Sequence, residues 1–212
     1  MTIKIRRGRN KKARSNGSRI LLEHLKPEEA AEVLRRMLKA RPDLANEAER
    51  IAKAVLTEVN FEDIAVEVED AVTGVDIDDV YARAGKHEWG YVEPGEAALE
   101  ILESAVERFI EDIQRQIDLG LEAEALETCK GLALGLYRFE QESDDEVLQW
   151  APEFPTETAG RAIGVWLGER DSAGKRLKRN SSRKRPVFPQ AFVEQFIPQW
   201  SDMMARILRA KY

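Results

Sequence analysis

The chain has 212 residues, of which 43% are apolar and 34% charged, and a net charge of −6. This is enough chain and enough apolar content to pack a core, which excludes global disorder. One cysteine excludes a disulfide framework and a cysteine-rich zinc site, and two histidines, His24 and His87, leave little for histidine chemistry.

Residues 1–20 carry eight Lys/Arg and no acid, so residues 1–19 read as a basic flexible arm that ends near Ser15-Asn16-Gly17-Ser18. No apolar signal-type run follows, and no stretch approaches the roughly 20 apolar residues of a spanning helix. With no signal and no paired cysteines, the expected compartment is the cytoplasm and no membrane partner is expected.

From residue 20 to 169 the pattern is helical almost throughout. Pro27-Glu28-Glu29 opens a helix with proline in its first turn and acids at the positive end of its dipole. Val33, Leu34, Met37 and Leu38 supply its apolar stripe. Pro42-Asp43 opens the next, with Leu44, Ala48, Ile51, Ala52, Val55 and Val59 at helical spacing. Asn60 caps a third, carrying Phe61, Ile64, Ala65, Val68 and Val72. Gly74 stops it, and Asp76 or Asp78 caps a short helix that Gly85 ends. Residues 85–95 read as a loop.

Pro94 leads into a long helix with Leu102, Val106, Phe109, Ile113 and Ile117, closed by Gly120. The next helix starts at once, with Leu121, Ala125, Cys129, Leu132 and Leu136 on one face. Asp144-Asp145-Glu146 opens a short helix, Pro152 and Pro155 mark a loop, and Thr156 or Thr158 caps another helix. Residues 170–186 carry eight Lys/Arg against Asp171 and read as a basic linker. Residues 187–212 form a C-terminal segment whose apolar positions, from Phe192 to Leu208, keep helical phase across Pro198. Pro198 demands a kink or two helices that meet at Ile197. The breadth of that face predicts docking on the same chain, so a monomer is favoured over a homodimer. No hairpin turn of Asn-Gly or Asp-Gly type separates apolar runs, so no strand pair is predicted and the fold class is all-α.

The sequence around Gly120 reads Leu119-Gly120-Leu121-Glu122-Ala123-Glu124-Ala125-Leu126, with Ala133 and Leu136 further on. It resembles one degenerate tetratricopeptide hairpin, in which a glycine closes the first helix and a Glu-Ala-Leu run opens the second. The resemblance covers residues 96–140 and implies antiparallel helical hairpins stacked as an αα-superhelix. The first helix is longer than that repeat allows, and no second copy follows at 34 residues. Asp78-Asp79-Val80-Tyr81 and Trp89-Gly90-Tyr91-Val92-Glu93-Pro94 resemble helical regions that accompany SWIM zinc fingers in bacterial proteins of unassigned function. The SWIM cysteine–histidine motif is missing, so no zinc function carries over. Both resemblances imply an interaction scaffold.

Charge is segregated. The first 20 residues carry +8 and residues 170–186 carry +7, which leaves −21 on the rest. Arg6, Arg7, Arg9, Lys11, Lys12, Lys175, Arg176, Lys178, Arg179, Arg183, Lys184 and Arg185 are the candidate polyanion-binding residues, since Lys/Arg segments bind phosphates by releasing counterions. The acidic body repels a nucleic-acid backbone, and the basic runs lack interleaved aromatics for stacking. Asp76, Asp78 and Asp79 read as helix caps rather than cation ligands, and His87 has no second histidine at helical spacing. Cys129 falls on an apolar face and reads as structural. Tyr81, Trp89 and Tyr91 are the candidate partner-binding residues, because accessible aromatics anchor interfaces. No catalytic residue, metal or cofactor is expected. The reading is a non-enzymatic helical interaction or scaffold protein whose partner is another protein. The alternative is a nucleic-acid-associated protein that uses segments 1–20 and 170–186.

Overall fold

The computed structural model describes residues 21–88, 90–142, 146–168 and 187–210, and the fold is all-α. The basic arm 1–19 and the linker 170–186 lie outside the described residues. The chain divides between Leu56 and Thr57 into two units, where the sequence reading drew one body over 20–169.

The first unit holds α1 (Pro27–Ala40), a 3-10 turn (Pro42–Leu44) and α2 (Ala45–Leu56). The start of α1 is fixed by Pro27 in its first turn and by the Lys26 backbone N–H, which donates to the Glu29 carboxylate at 3.0 Å. Pro42 keeps Arg41 out of helical conformation (φ −135°, ψ 75°), so α1 ends there. Neither helix buries a residue. Val33, Leu34, Met37, Ile51 and Val55, expected as core, are exposed. Two helices of 14 and 12 residues have too little surface to enclose a core between them. The second helix also stops at Leu56, which leaves Val59 outside it.

The second unit is built on α3 (Phe61–Thr73), α4 (Ile77–Arg83), α5 (Pro94–Asp118), α6 (Glu122–Glu142), α7 (Glu146–Trp150) and α8 (Phe154–Trp166). The C-terminal segment adds α9 (Gln190–Phe196), a 3-10 turn (Pro198–Trp200) and α10 (Ser201–Ala210). Asn60 caps α3 by accepting from the Glu62 N–H at 2.9 Å, and Asp76 caps α4 through Asp78 N–H at 2.9 Å. The predicted loop after α4 is instead a two-stranded antiparallel hairpin, β1 (Gly85–His87) with β2 (Gly90–Val92). Gly85 and Gly90 have φ of +109° and +147°, values that side-chain-bearing residues rarely adopt; Gly85 turns the chain out of α4 into β1, and Gly90 follows the hairpin turn at the start of β2. Strands of three residues are too short to show alternation in sequence. A second correction concerns α8. It starts at Phe154 with Pro155 inside its first turn, so neither Thr156 nor Thr158 is the cap, and Thr158 is buried.

Helices α5 and α6 are separate and joined at Gly120, as expected. Gly120 adopts φ +77°, its N–H donates to Ile117 O, and Leu121 N–H reaches back to Gln116 O. This Schellman pattern satisfies the last carbonyls of α5 and reverses the chain. Leu102, Phe109, Ile113, Cys129 and Leu132 are buried, whereas Leu121 is only half-buried because it sits in the connection itself. Thr128 on α6 donates to Gln116 Oε1 on α5 at 2.9 Å, a bond across the hairpin.

The body is organised by α6, which packs against α3, α5 and α8. Its contact with α3 is set by two glycines four residues apart. A Cβ added to Gly131 would lie 2.5 Å from Ile64 Cβ and 2.8 Å from Phe61 O; at Gly135 it would lie 2.6 Å from Ala65 O. Only hydrogen at these positions lets the backbones approach so closely. On another face, Gly160 of α8 meets Ile207 of α10, with 3.2 Å from a Cβ to its Cδ1.

The C-terminal segment docks on this body. Phe188, Phe192, Val193, Ile197, Trp200 and Met204 are buried. Two helices meet at Ile197 rather than one kinked helix crossing Pro198. Phe61 of α3 meets Phe192 and Phe196 edge-on at 5.5 and 5.1 Å between centroids. Lys130 of α6 places Nζ 4.5 Å from the Phe61 ring centre and 5.5 Å from that of Phe192, while bonding Glu127 at 2.6 Å. The Trp200 indole N–H donates to Glu140 Oε2 at 2.6 Å.

Two outcomes follow from this packing. Gly131→Ala drives a methyl into α3 and lowers stability by about 1–3 kcal/mol in chemical denaturation. Trp200→Ala removes a buried ring, at a cost of roughly 3–5 kcal/mol in the same assay.

Candidate interaction surface

The second unit carries a cleft of about 570 Å³ between α4, the β-hairpin and α5. Asp79 and Arg83 sit four apart on α4 and so share a face. With Ala82 they form one wall; His87 and Val92 of the hairpin and Glu100 and Ile101 of α5 form the others. Arg83 is ion-paired with Glu100. His87 Nε2 lies 2.7 Å from the Arg83 carbonyl oxygen, which can only accept, so Nε2 bears the proton. Ala82, Val92 and Ile101 give the cleft an apolar part of its lining, and Arg83 and Glu100 neutralise each other. Long-range pairing assembles it, and nothing in the local sequence around Arg83 or Glu100 announced it.

The predicted partner-binding residues are not gathered at this cleft. In the hairpin register Lys86 faces Tyr91, whereas His87 faces Gly90 and Gly85 faces Val92. Side chains alternate along a strand, so Tyr91 lies on the outer face, away from His87 and Val92. It is 62% exposed. Tyr81 lies on a different flank of α4 and donates to Glu146 Oε1 of α7 at 3.0 Å. That bond to a carboxylate pushes the Tyr81 phenol above its ordinary value. Trp89 lies outside the described residues, as do Arg6, Arg7, Arg9, Lys11, Lys12, Lys175, Arg176, Lys178, Arg179, Arg183, Lys184 and Arg185.

Asp76 is engaged as a cap and Asp79 lines the cleft, while Asp78 donates its N–H to Asp76. Among the described residues no three His, Cys, Asp or Glu side chains converge as a metal centre, and no helix is long and apolar enough to cross a membrane. Cys129 is fully buried on α6, and burial pushes its thiol far up.

The first unit exposes apolar side chains on both of its helices. Val33, Leu34 and Met37 of α1 are 42–45% exposed, and Ile51 and Val55 of α2 are 50% and 64% exposed. The periodicity of these residues was plain in sequence, but periodicity reports that a face is apolar and not what covers it.

No protein-family model matches the chain, no curated protein matches its sequence, and no solved structure matches its fold. The tetratricopeptide and SWIM resemblances therefore rest on the residues quoted for them.

The buried thiol has a testable signature. With its folded pKa raised, Cys129 stays protonated in the native state while the unfolded thiol ionises near pH 8.5. Its contribution to stability is complete below that pH and declines as pH rises above it. Native protein should show no reaction with an aromatic disulfide reagent at pH 8, and one thiol should titrate on denaturation.

Proposed function

We propose that the protein is a non-enzymatic helical interaction scaffold of the cytoplasm. In this reading the second unit is a closed helical body and the first unit is the element that holds a partner. The observation that carries the reading is the pair of uncovered apolar faces on α1 and α2. Amphipathic helices of this length are marginal alone and gain most of their stability from packing. Exposed apolar side chains at helical spacing are suited to hold a partner. The α5–α6 hairpin is read as one degenerate tetratricopeptide-like unit within that scaffold. Tyr81 and Tyr91 offer secondary contacts on the body.

Affinity capture with the full chain tests the reading. One dominant protein species, of this chain or another, should be retained. Ile51→Glu with Val55→Glu should abolish that retention by burying charge at the contact. Capture that is unchanged in the double variant overturns the reading. Retention that vanishes with nuclease and falls steeply with salt favours the alternative, a nucleic-acid-associated protein using the basic segments.

A further inference from the structure

We infer that the cleft between α4, the β-hairpin and α5 binds an organic cation of the alkylammonium class. The charged head meets the Asp79 carboxylate, and the alkyl stem lies along Ala82, Val92 and Ile101. This site belongs to the second unit and is independent of what α1 and α2 hold.

The cavity sets the size of the occupant. A volume of about 570 Å³ suits a small organic molecule or one long side chain. Asp79 and Glu100 are exposed, so a ligand reaches them directly from solvent.

The charges of the lining select the sign. Arg83 is already spent, because its Nε and Nη2 both turn to Glu100 Oε2. His87 commits its Nε2 proton to the Arg83 carbonyl oxygen at 2.7 Å, which holds the ring against the end of α4. Asp79 uses its backbone N–H in the first turn of α4, donating to Asp76 O at 3.0 Å. Its carboxylate takes no hydrogen bond or ion pair from the described residues. Arg83 and Glu100 cancel, and Asp79 remains as one uncompensated negative charge at the cavity wall. The surroundings add to it: residues 57–168 contain 28 acids against 7 Lys/Arg, a net charge of −21. Such a field repels anions and concentrates cations in the cleft.

The rest of the lining selects an organic cation over a metal ion. A hard divalent ion asks for roughly six or more oxygen ligands, and among the described residues no three candidate ligands converge. Ala82, Val92 and Ile101 offer instead an aliphatic wall beside the carboxylate. Methylenes on apolar surface with the ammonium turned to a carboxylate is the arrangement a lysine side chain adopts at a protein surface. Two sources present this chemistry: a free amine, and a lysine of another polypeptide.

Titration of the isotope-labelled full chain, followed through its amide chemical shifts, tests the site. The probes are cadaverine, an alkyl diamine; pentanediol, which has the same carbon chain and no charge; and a capped glycine peptide carrying one lysine. Cadaverine or the peptide should give saturable shifts at Ala82, Arg83, His87 and Ile101, and pentanediol none. Asp79→Asn should weaken binding about 10-fold, the loss of a charge-assisted hydrogen bond. Asp79 is exposed, and circular dichroism checks that the variant keeps its helices. Glu111→Gln, the same change in net charge at an exposed position of α5 farther along the helix, should leave binding unaltered. Saturation by cadaverine supports the site with a free amine as its ligand, and saturation by the peptide alone supports it with a protein lysine. The inference is overturned by shifts that never saturate, by pentanediol binding as well as cadaverine, or by equal weakening in both variants, which marks diffuse attraction to an acidic surface.

Discussion

The body depends on how closely α3 approaches α6. Gly131 and Gly135 remove the two side chains that would hold the helices apart, so Ile64 and Val68 of α3 settle against bare backbone. Helix axes normally stand 8–10 Å apart, a spacing set by the side chains between them. Because α6 also carries α5 and α8 on its other faces, it relates α3 to most of the body. Phe61, at the start of α3, is thereby delivered to where α9 can stack on it.

Polar groups then specify what apolar burial alone leaves loose. Lys130 is the best example. Its stem lies in the interior while its ammonium reaches Glu127 and the rings of Phe61 and Phe192. Three helices share this one side chain. Glu140 does similar work for Trp200, and Tyr137 both bonds Gln199 and meets the Trp200 ring edge-on. Apolar area can be covered in several registers, but these directional contacts are satisfied in one.

Much of the helical architecture was legible because its signals are local. Asn60 and Asp76 cap as read, Gly120 breaks the hairpin through its own φ, and Pro198 separates two helices that keep one phase. The β-hairpin is hard to read from sequence because its strands are three residues long and its turn is bordered by Gly90 with no Asn-Gly pair. Phe154 escaped as a helix start because Pro155 was read as a breaker, although proline is at home in a first turn. The division at Leu56 and the cleft around Arg83 and Glu100 were illegible for another reason. Both depend on which surfaces meet across the chain, and Met37 or Ile51 has the same pattern whether it faces a core or water. The sequence reading took the C-terminal face as the surface in need of cover, whereas Phe192 and Trp200 are already enclosed and α1 and α2 are not.

The enclosure of Phe61 also orders the events of biosynthesis. Its partners Phe192 and Phe196 are separated from it by nearly the whole length of the second unit. On the ribosome α3, α5 and α6 are made well before those rings emerge, so the aromatic end of α3 waits uncovered while the intervening chain is synthesised. Contacts of such long sequence separation form late and slowly. A nascent chain stalled before residue 187 presents an adhesive patch that the completed protein hides, the kind of surface that chaperones and quality-control proteases read.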